Sequence, residues 1–596
     1  MGRRNSSRRR RYNPSHVRTV VTSSMMLICV IVLCLIVGKN IKLNRADDAG
    51  PDATPPAASS ESPDPGVVPT DESGQPAETQ VPEPTPAPEP FEPHAVDSTQ
   101  PSNFISYTNV MVNDTLLDGA YTAEQEINFG AGSEYSALPG VITFGGNNYR
   151  DGYSYGTANI TQKKFGSQWT AATGSLVAPG GVYWSGNGWT GQPLIAEWPK
   201  ETRQVMNMYD WAKQQETLVE VVYPSMDGYV YFYELQTGKA TRDALNLGYT
   251  FKGTGTLDPR GYPLLVVGSG YNSNRGTSHV FIVSLIDFSI LYEFGASDSF
   301  ALRAWPMYDS APLIDAETDQ LIYCGENGVI YIITLGTQYD ESAGTISVNP
   351  TRTVKWRYQS TRGSLYSFWL GFEDSPVIYQ GHLMVADNGG NLICLDLNTL
   401  ELVWVQDTLD DSNSTPVLEV EDGHPYLYIS TSFHLGWRSS TTADVPVWKI
   451  DAETGEIVWQ RSYSCYSVED LSGGVQGSIV SGKNNVSDLI FVPVARHPTA
   501  GGGTLVALDK ATGEEVWAFE TQVYSWCTPT VFYDQNGDGY ILYCTAGQYL
   551  YLLDARTMEI LDSKNLGGTI EATPAVYGNY AVVGTRSGTI YGITLT

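Results

Sequence analysis

A hairpin pattern that returns along the C-terminal half is the feature that most constrains the fold of this chain. "LVALDKATGEEVWAF" (505–519) has an alternating apolar run ending in Asp, a Thr-Gly turn, and a second alternating run that contains a Trp. Asp and Gly suit a tight turn, because the carboxylate bonds turn amides and glycine accepts a positive φ. Asp also stands eight residues before Trp in "LICLDLNTLELVW" and "VWKIDAETGEIVW". The pattern predicts a repeating β-hairpin.

A second mark gives the period of the repeat. Short strands upstream of the hairpins open on a Pro, a position where Pro costs no ladder hydrogen bond. The marks are Pro193, Pro312, Pro376, Pro416, Pro529 and Pro574. Most successive marks are 40 to 64 residues apart, and two longer gaps, after Pro193 and after Pro416, each have room for one further unit. Four strands per repeat of roughly 40 to 50 residues predict a β-propeller.

The number of units predicts how the propeller closes. Units open near residues 192, 251, 310, 374, 414, 475 and 527, and an eighth begins at Pro574 but ends at Thr596 after about three strands. The missing outer strand is expected from "KKFGSQWTAA", which places Trp169 as "GEEVWAF" places Trp517. We therefore predict an all-β fold, an eight-bladed propeller of four-stranded blades, in which both chain ends share one blade and leave no open edge.

The D-x-x-T-G-E-x-x-W pattern resembles the tryptophan-docking motif of the quinoprotein (PQQ-like) repeat. "VITFGGNNYRDGYSYG" (141–156) also resembles the F-x-G-N-x-x-R-x-G lead-in of such propellers. The resemblance covers roughly residues 140–596 and is strongest in the last five blades. It implies that four tryptophans pack between neighbouring blades as architecture: Trp169, Trp404, Trp459 and Trp517.

The resemblance also implies what a quinone site would require. Quinoprotein dehydrogenases of this fold hold the quinone against an adjacent Cys-Cys disulfide, with calcium bound by Glu, Asn and Asp. The sequence has no Cys-Cys pair, and the calcium ligands match no aligned segment. We therefore predict no cofactor and do not expect PQQ.

One loop is a candidate for calcium. In "YDQNGDGY", Asp534, Asn536 and Asp538 resemble the start of a calcium loop, but Leu542 and Thr545 occupy the later ligand positions. This favours a hairpin turn, with calcium as the alternative. The five cysteines after the apolar segment are expected to be single buried thiols, with a pair between Cys527 and Cys544 as the alternative.

The N-terminal region predicts where the propeller lies. Residues 1–18 form a basic tail with seven arginines, and residues 19–38 are uncharged and long enough to cross a membrane as a helix. A cleaved signal peptide is the alternative, but no A-x-A site follows. Residues 39–100 form a Pro/Glu-rich spacer expected to be disordered, residues 101–139 a lead-in segment, and residues 140–596 the propeller. We expect a single-pass protein of the cell membrane with a cytoplasmic N-terminus and an extracytoplasmic propeller.

Charge narrows the range of partners. The formal net charge is −30 at pH 7, although residues 1–45 hold ten Lys or Arg and no acid. A surface this acidic repels nucleic acid, so we predict no nucleic-acid partner. The propeller is expected to be monomeric and to meet the membrane only through its N-terminal helix.

Aromatic residues recur in the connections that lead from one blade into the next. With nearby charged residues they form the predicted ligand-binding set on the funnel face: Trp189, Trp305, Tyr308, Trp369, Tyr466, Trp526, Arg303, Arg362, Glu373 and Asp374. Flat rings beside hydrogen-bonding groups suit peptides or sugars, although the rings alternatively fill the funnel or pack between blades. With no catalytic residue predicted, the sequence favours a non-enzymatic binding or scaffold module for a protein or cell-envelope polysaccharide. A quinone-dependent oxidoreductase with a divergent site is the alternative.

Overall fold

The predicted eight blades are present in the computed structural model, which describes residues 90–362, 370–434, 441–468 and 471–596. The strands of blades 1 to 4, from the innermost outward, are Leu194–Glu197, Val219–Pro224, Tyr229–Glu234 and Leu245–Asn246; Thr256–Leu257, Leu264–Gly268, Val280–Ser284 and Ile290–Phe294; Leu313–Asp315, Gln320–Cys324, Val329–Thr334 and Arg352–Ser360; and Val377–Tyr379, His382–Ala386, Asn391–Asp396 and Leu402–Asp407. The strands of blades 5 to 7 are Val417–Glu421, His424–Ser430, Thr442–Asp451 and Ile457–Tyr466; Val480–Ser481, Leu489–Ala495, Gly503–Asp509 and Glu515–Thr521; and Thr530–Tyr533, Gly539–Cys544, Tyr549–Asp554 and Ile560–Asn565.

Burial falls from the inside of each blade to the outside. In blade 2, Leu264–Gly268 and Val280–Ser284 are buried at every position, whereas Ile290–Phe294 is half-buried or exposed. The middle strands are continuous apolar runs because both of their faces pack against neighbouring blades. Outer strands alternate because only one face is covered.

Blade 8 closes the ring as predicted. Three C-terminal strands, Ala575–Tyr577, Tyr580–Thr585 and Thr589–Leu595, pair in order, and the outer strand is Phe165–Ala172 from the N-terminal side. The outer pairing is antiparallel and sets Trp169 opposite Gly592. The two ends of the propeller are therefore joined by backbone hydrogen bonds of one sheet.

The outer-strand tryptophans contact the hairpin turn of the following blade. Three of them donate the indole N–H to a backbone carbonyl there: Trp169 to Leu235 at 2.8 Å, Trp404 to Ala452 at 2.9 Å and Trp459 to Lys510 at 2.9 Å. Their rings lie against the turn glycines, where a Cβ atom would be 2.4 to 2.7 Å from the ring: Gly238, Gly455 and Gly513. Glycine is thus required both for its positive φ and for the approach of the ring.

Trp517 differs from these three. Its indole Nε1 is buried without a hydrogen-bond partner, and its ring packs on Phe491 at a centroid distance of 5.6 Å. In the following blade, Met558 occupies the turn position that glycine holds in blades 1, 5 and 6, with a φ of 68°. Trp517 and Met558 pack against the same buried cluster, so a side chain in the turn replaces the close approach of the indole.

A ring of hydroxyl groups links the blades around the central channel. The residue two positions before an inner strand donates its backbone N–H to a Ser or Thr hydroxyl at the same position of the next blade. Five successive bonds of 2.8 to 3.3 Å join Ala311 to Ser375, Ser375 to Thr415, Thr415 to Ser478, Ser478 to Thr528, and Thr528 to Thr573. Each bond satisfies a buried amide that no strand partner reaches.

The lead-in segment that resembles the PQQ-like pattern is tied to the inner strands. The side chain of Arg150 is buried and donates to the carbonyls of Pro376 at 2.9 Å and Ala311 at 2.8 Å. Phe144 lines a narrow cavity of about 20 Å³ in the channel. The Arg and Phe of the pattern are therefore structural residues of the channel.

Further elements lie before and between the blades. Ile105–Val112 pairs with Arg352–Ser360 as a fifth strand of blade 3, an addition that the sequence did not predict. The other strands are Thr115–Leu116, Gly140–Val141, Ser154–Tyr155, Ser175–Val177, Tyr183–Ser185, Thr337–Asp340, Thr345–Val348, Ser432–Phe433 and Gly473–Val475. The short helices are Pro101–Phe104, Lys200–Val205 and Asp210–Lys213, with 3₁₀ turns at Gly132–Glu134, Pro179–Gly181 and Asn484–Val486.

The predicted membrane helix, residues 19–38, and the spacer as far as residue 89 lie outside the described residues. Within the described ranges, no helix has the length and apolar character needed to cross a membrane. The predicted domain boundaries stay predictions.

Candidate functional site

The funnel pocket is a cavity of about 240 Å³ at the mouth of the channel, and six blade connections contribute to it. Each contributes the residue three positions before the strand-opening Pro, or before Ile479 in blade 6: Thr190, Asp309, Glu373, Asn413, Gln476 and Trp526. Trp189 and Asp411 add to the lining. The repeat thus brings one residue from each of these connections to one place.

Aromatic rings form one side of the funnel pocket. The ring centroids of Trp189 and Trp526 are 6.1 Å apart, and Trp184 and Tyr524 extend the row at 6.1 and 5.3 Å. The indole Nε1 of Trp526 is buried without a partner. The Lys252 ammonium lies 5.3 Å from the centroid of Trp189, a distance at which a cation is attracted to the ring face.

Asp309, in the pocket lining, and the neighbouring Glu326 each have a partner for one carboxylate oxygen. Lys252 Nζ lies 2.7 Å from Asp309 Oδ2, and Trp305 Nε1 donates to Glu326 Oε2 at 2.8 Å. The remaining oxygens, Asp309 Oδ1 and Glu326 Oε1, are buried and have no other hydrogen-bond partner among the described residues. Burial and the charge of Asp309 hold the pKa of Glu326 well above its usual range. A protonated Glu326 that donates to Asp309 satisfies both oxygens.

Two other acidic groups have no cation of their own. Asn388 Nδ2 donates to Asp411 Oδ1 at 2.6 Å, and neither Asp411 nor Glu373 forms an ion pair with any described residue. Burial, followed by the negative charge of Asp411, raises the pKa of Glu373 to about 7. Burial likewise raises the pKa of Asp411 to about 7, against the lowering effect of the Asn388 hydrogen bond. The funnel pocket thus holds two carboxyl groups that titrate near neutral pH.

The predicted ligand-binding residues divide between two places. Trp189, Glu373 and Trp526 line the funnel pocket. Arg303 and Trp305 line a separate cavity of about 440 Å³, where the guanidinium lies 5.5 Å from the indole centroid. Trp305 is 41% exposed, so its ring is available at that second cavity.

Two predicted ligand residues are instead in the core. Tyr308 is 0% exposed and donates its hydroxyl to the Gly295 carbonyl at 3.1 Å. Asp374 is 1% exposed and accepts the backbone N–H of Ala386 at 3.1 Å. The assignment of both to the ligand-binding surface is corrected, since no solute reaches a side chain buried between inner strands.

The remaining predicted residues lie elsewhere. Arg362 donates to the carbonyl of Gly389 at 2.5 Å and pairs with Asp407, so it fixes a turn of blade 4. Tyr466 is half-buried at the end of the outer strand of blade 5 and is not part of the funnel-pocket lining. Trp369 lies outside the described residues.

Sequence reasoning missed several residues of the funnel pocket. Thr190, Asn413 and Gln476 are neither aromatic nor charged, but their constant position before the inner strand is a signal that was available in the sequence. Lys252 holds the equivalent position in blade 2, three residues before Gly255, but no Pro marks it in the sequence. Asp411 does not hold this position, and only the fold brings its charge to the pocket.

Similarity to known proteins agrees with this architecture. A family model described as Outer membrane protein assembly factor BamB matches residues 342–518. The matched residues and the eight-bladed propeller fit a PQQ-like repeat family, as the sequence predicts. The matched residues run from the outer part of blade 3 into the outer strand of blade 6.

Individual relatives are more distant. The Outer membrane protein assembly factor BamB of Kangiella koreensis is 26% identical over 225 residues, which are 36% of this chain and 49% of that protein. The chain thus spans about half the length of this curated relative. The crystal structure of BamB from Moraxella catarrhalis has a TM-score of 0.42 at 17% identity, over 63% of this chain and 91% of that one. The quinohemoprotein alcohol dehydrogenase ADHIIG from Pseudomonas putida HK5 has a TM-score of 0.48 at 11% identity, over 79% of this chain and 83% of that one.

The candidate calcium loop of this PQQ-like propeller bonds to itself. Asp534 Oδ1 accepts the backbone N–H groups of Asn536 at 2.8 Å and Asp538 at 3.0 Å. Asn485 Nδ2 donates to Asp538 Oδ1 at 3.0 Å. Throughout the described parts of the chain, no three His, Cys, Asp or Glu side chains are grouped so as to hold a metal ion. The preference for a hairpin turn over calcium stays a prediction.

The cysteines of the PQQ-like propeller are single thiols, as predicted. All five in the described residues are free and buried: Cys324, Cys394, Cys465, Cys527 and Cys544. Cys527 and Cys544 are neighbours, and burial together with Cys527 holds the pKa of the Cys544 thiol well above its usual range. Such thiols are poor nucleophiles.

Proposed function

We propose that this protein is a membrane-tethered, extracytoplasmic binding or scaffold module whose propeller holds a protein or cell-envelope glycan at the funnel pocket. The observation that carries the proposal is the lining of that pocket by two tryptophan rings beside carboxyl and amide side chains. Rings supply contact area with little loss of side-chain entropy, and polar groups fix the orientation of a ligand.

A protein partner is favoured over a glycan. The matched family and the Kangiella koreensis relative are both described as an outer membrane protein assembly factor. By its name, that relative works on the assembly of other proteins. A propeller of the same repeat family is suited to a similar scaffold role.

The tether is supported by the sequence. Seven arginines precede the uncharged residues 19–38, and the Pro/Glu-rich residues that follow are expected to form an extended spacer, which ends before Phe91 packs on Tyr379 at a centroid distance of 5.1 Å. Protease added to intact cells is expected to release a fragment of roughly residues 90–596, because the spacer is accessible to cleavage. Full-length protein that survives on intact cells and is cut only after lysis would place the propeller inside the cell and refute the proposed location.

The binding role is tested with the full chain in cells that express it. After chemical crosslinking, the tagged protein is purified and the co-purified protein and polysaccharide are measured. Changing Trp189 and Trp526 together to Leu is expected to remove the crosslinked partner, whereas Trp211→Leu, a half-buried tryptophan that lines neither cavity, serves as the matched control. Equal recovery of partner by all three chains, with unchanged melting temperatures, would show that the funnel pocket is not the binding site.

A further inference from the structure

We infer that the funnel pocket binds one basic side chain, a lysine or arginine, presented by a protein partner. The inference rests on the proposed function and specifies which chemical group the pocket receives. Four features of the described residues support it: acidic groups without a cation, the greater burial of Asp411 than of the tryptophan rings, the size of the pocket, and Lys252, whose ammonium already contacts an acid and a tryptophan ring.

The acidic groups point into the pocket. Asp411 is only 5% exposed, its Oδ1 is held by Asn388, and its Oδ2 has no hydrogen-bond partner. Oδ2 is accessible to solvent. A ligand can reach this oxygen through the funnel pocket, which Asp411 lines. Glu373, in the same lining, makes no hydrogen bond or ion pair with any described residue. A buried carboxylate without a partner is costly, and an incoming cation removes that cost.

The rings lie nearer to solvent than Asp411, while Glu373 is half-buried as the rings are. Trp189 and Trp526 are half-buried, whereas Asp411 is buried and the Asp309 side chain is 9% exposed. A lysine or arginine side chain has the matching order, with an apolar stem that packs along rings and a charged end that reaches further in. An amino sugar carries its nitrogen directly on the sugar ring and has no such stem.

The pocket has the size of one side chain. Its volume of about 240 Å³ is below the ≈300 Å³ at which pockets for drug-sized ligands begin. Asn413 Nδ2 donates to Gln476 Oε1 at 3.1 Å, so these two amides hold each other at one side of the pocket. The volume therefore fits a single chain end or side chain.

Lys252 shows the same contact within the protein. Its ammonium pairs with Asp309 at 2.7 Å and lies 5.3 Å from the centroid of Trp189. A second cation would make the equivalent contacts with Glu373, Asp411 and the exposed face of the tryptophan row. An anionic ligand would instead meet these acids, and a neutral one would leave them unpaired.

Binding is expected to depend on pH with a definite sign. Glu373 and Asp411 gain negative charge as pH rises through about 7, so a cation binds better above this pH than below it. The charged and titratable groups around the pair are Asp309, Asp387, Asp410, Lys252, Arg303 and His434.

The test uses the full-length protein in detergent and measures quenching of tryptophan fluorescence at about pH 8 and about pH 5.5. The probes are acetyl-Gly-Gly-Lys-Gly-Gly-amide, the same peptide with arginine, the same peptide with uncharged norleucine, and a glucosamine tetramer. We expect the lysine and arginine peptides to bind at least about tenfold more tightly than the norleucine peptide at the higher pH, because only they pair with the acids. The preference is expected to disappear at the lower pH.

The double variant Glu373→Gln with Asp411→Asn removes both charges and keeps the side-chain shapes. It is expected to lose the preference for lysine over norleucine, while Glu456→Gln, an exposed change, retains it. Because the double variant removes unpaired buried charges, its melting temperature should not fall. If it does fall, Trp189→Leu serves as the second variant and is expected to weaken binding of the lysine peptide.

Other outcomes overturn the inference. Equal binding of the lysine and norleucine peptides, or binding of the glucosamine tetramer without the peptides, would show that the pocket does not select a basic side chain. If no probe binds but crosslinking in cells still depends on Trp189 and Trp526, this inference is wrong and the proposed function stands. If neither assay depends on the pocket, both are wrong.

Discussion

The contrast between Trp169 and Trp517 provides a matched test of how the blades are joined. Both are half-buried tryptophans of outer strands. Trp169 donates its indole N–H to the Leu235 carbonyl at 2.8 Å, whereas the Nε1 of Trp517 is buried without a partner. Changing each to Phe removes similar apolar volume, so the difference between the two variants isolates the hydrogen bond.

The expected difference in the free energy of unfolding follows from the polar groups that each substitution leaves without a partner. In Trp169→Phe the carbonyl of Leu235, a residue 1% exposed, loses its only described side-chain donor. Leaving a buried polar group unsatisfied costs about 1 to 3 kcal/mol. Trp517→Phe instead removes an N–H that was already unsatisfied. We expect Trp169→Phe to lower the free energy of unfolding by about 1 to 3 kcal/mol more than Trp517→Phe does.

The assay is equilibrium unfolding in urea, followed by tryptophan fluorescence and circular dichroism. Repeating Trp517→Phe in a Met558→Gly background completes the test, since glycine at that turn restores the room that the docked indoles have elsewhere. In that background the cost of Trp517→Phe should rise towards that of Trp169→Phe. Equal costs of the two single variants, together with no effect of Met558→Gly, would refute the hydrogen-bond account of blade docking.

Three further predictions follow from the structure. Burial raises the pKa of Glu373 to about 7, so the native state keeps a proton that the unfolded state releases, and stability is lost as pH rises from about 4.5 to 7. Unfolding measured across pH should therefore show Glu373→Gln to be more stable than the natural chain by roughly 3 kcal/mol at pH 8 and nearly equal to it at pH 4. A chain that begins at residue 175 lacks the outer strand of blade 8 and should aggregate, whereas one that begins at residue 100 should stay monomeric in gel filtration; equal behaviour would mean that this strand is dispensable. Adding calcium should leave the melting temperature unchanged both in the natural chain and after Asp534→Asn with Asp538→Asn, and a rise confined to the natural chain would establish a calcium site.

Much of the fold was predictable because the repeat is specified by short local sequence patterns. A Pro at the start of an inner strand and an Asp-x-x-Thr-Gly turn specify short strands regardless of what surrounds them. The closure by the strand of Trp169 was predictable for the same reason. This strand resembles an outer strand but stands before the first blade, and the outer position of blade 8 is the one that the C-terminal strands leave unfilled.

The site was less predictable because burial depends on distant residues. Tyr308 looks like a funnel aromatic from its place in a connection, yet its side chain occupies room left by Gly268 and Gly295, where Cβ atoms would lie 2.4 Å from its Cβ and 2.0 Å from its hydroxyl oxygen. Nothing in the local sequence of Tyr308 indicates these two glycines. By contrast, Trp189 and Trp526 hold similar positions in their connections and line the funnel pocket.

The repeat also separates positions that hold the ring together from positions that are free to bind. The residue two positions before the inner strand is Ser or Thr in five consecutive blades, where its hydroxyl accepts an amide of the preceding blade: Ser375, Thr415, Ser478, Thr528 and Thr573. Two positions before the first four of these, the side chains are a carboxylic acid, two amides and an indole: Glu373, Asn413, Gln476 and Trp526. These side chains accept none of the backbone N–H bonds of the hydroxyl ring, although Gln476 accepts the Asn413 amide N–H, and they meet at the funnel pocket. A substitution at these positions therefore leaves the hydroxyl ring in place, and we expect the ligand preference of the propeller to be set there.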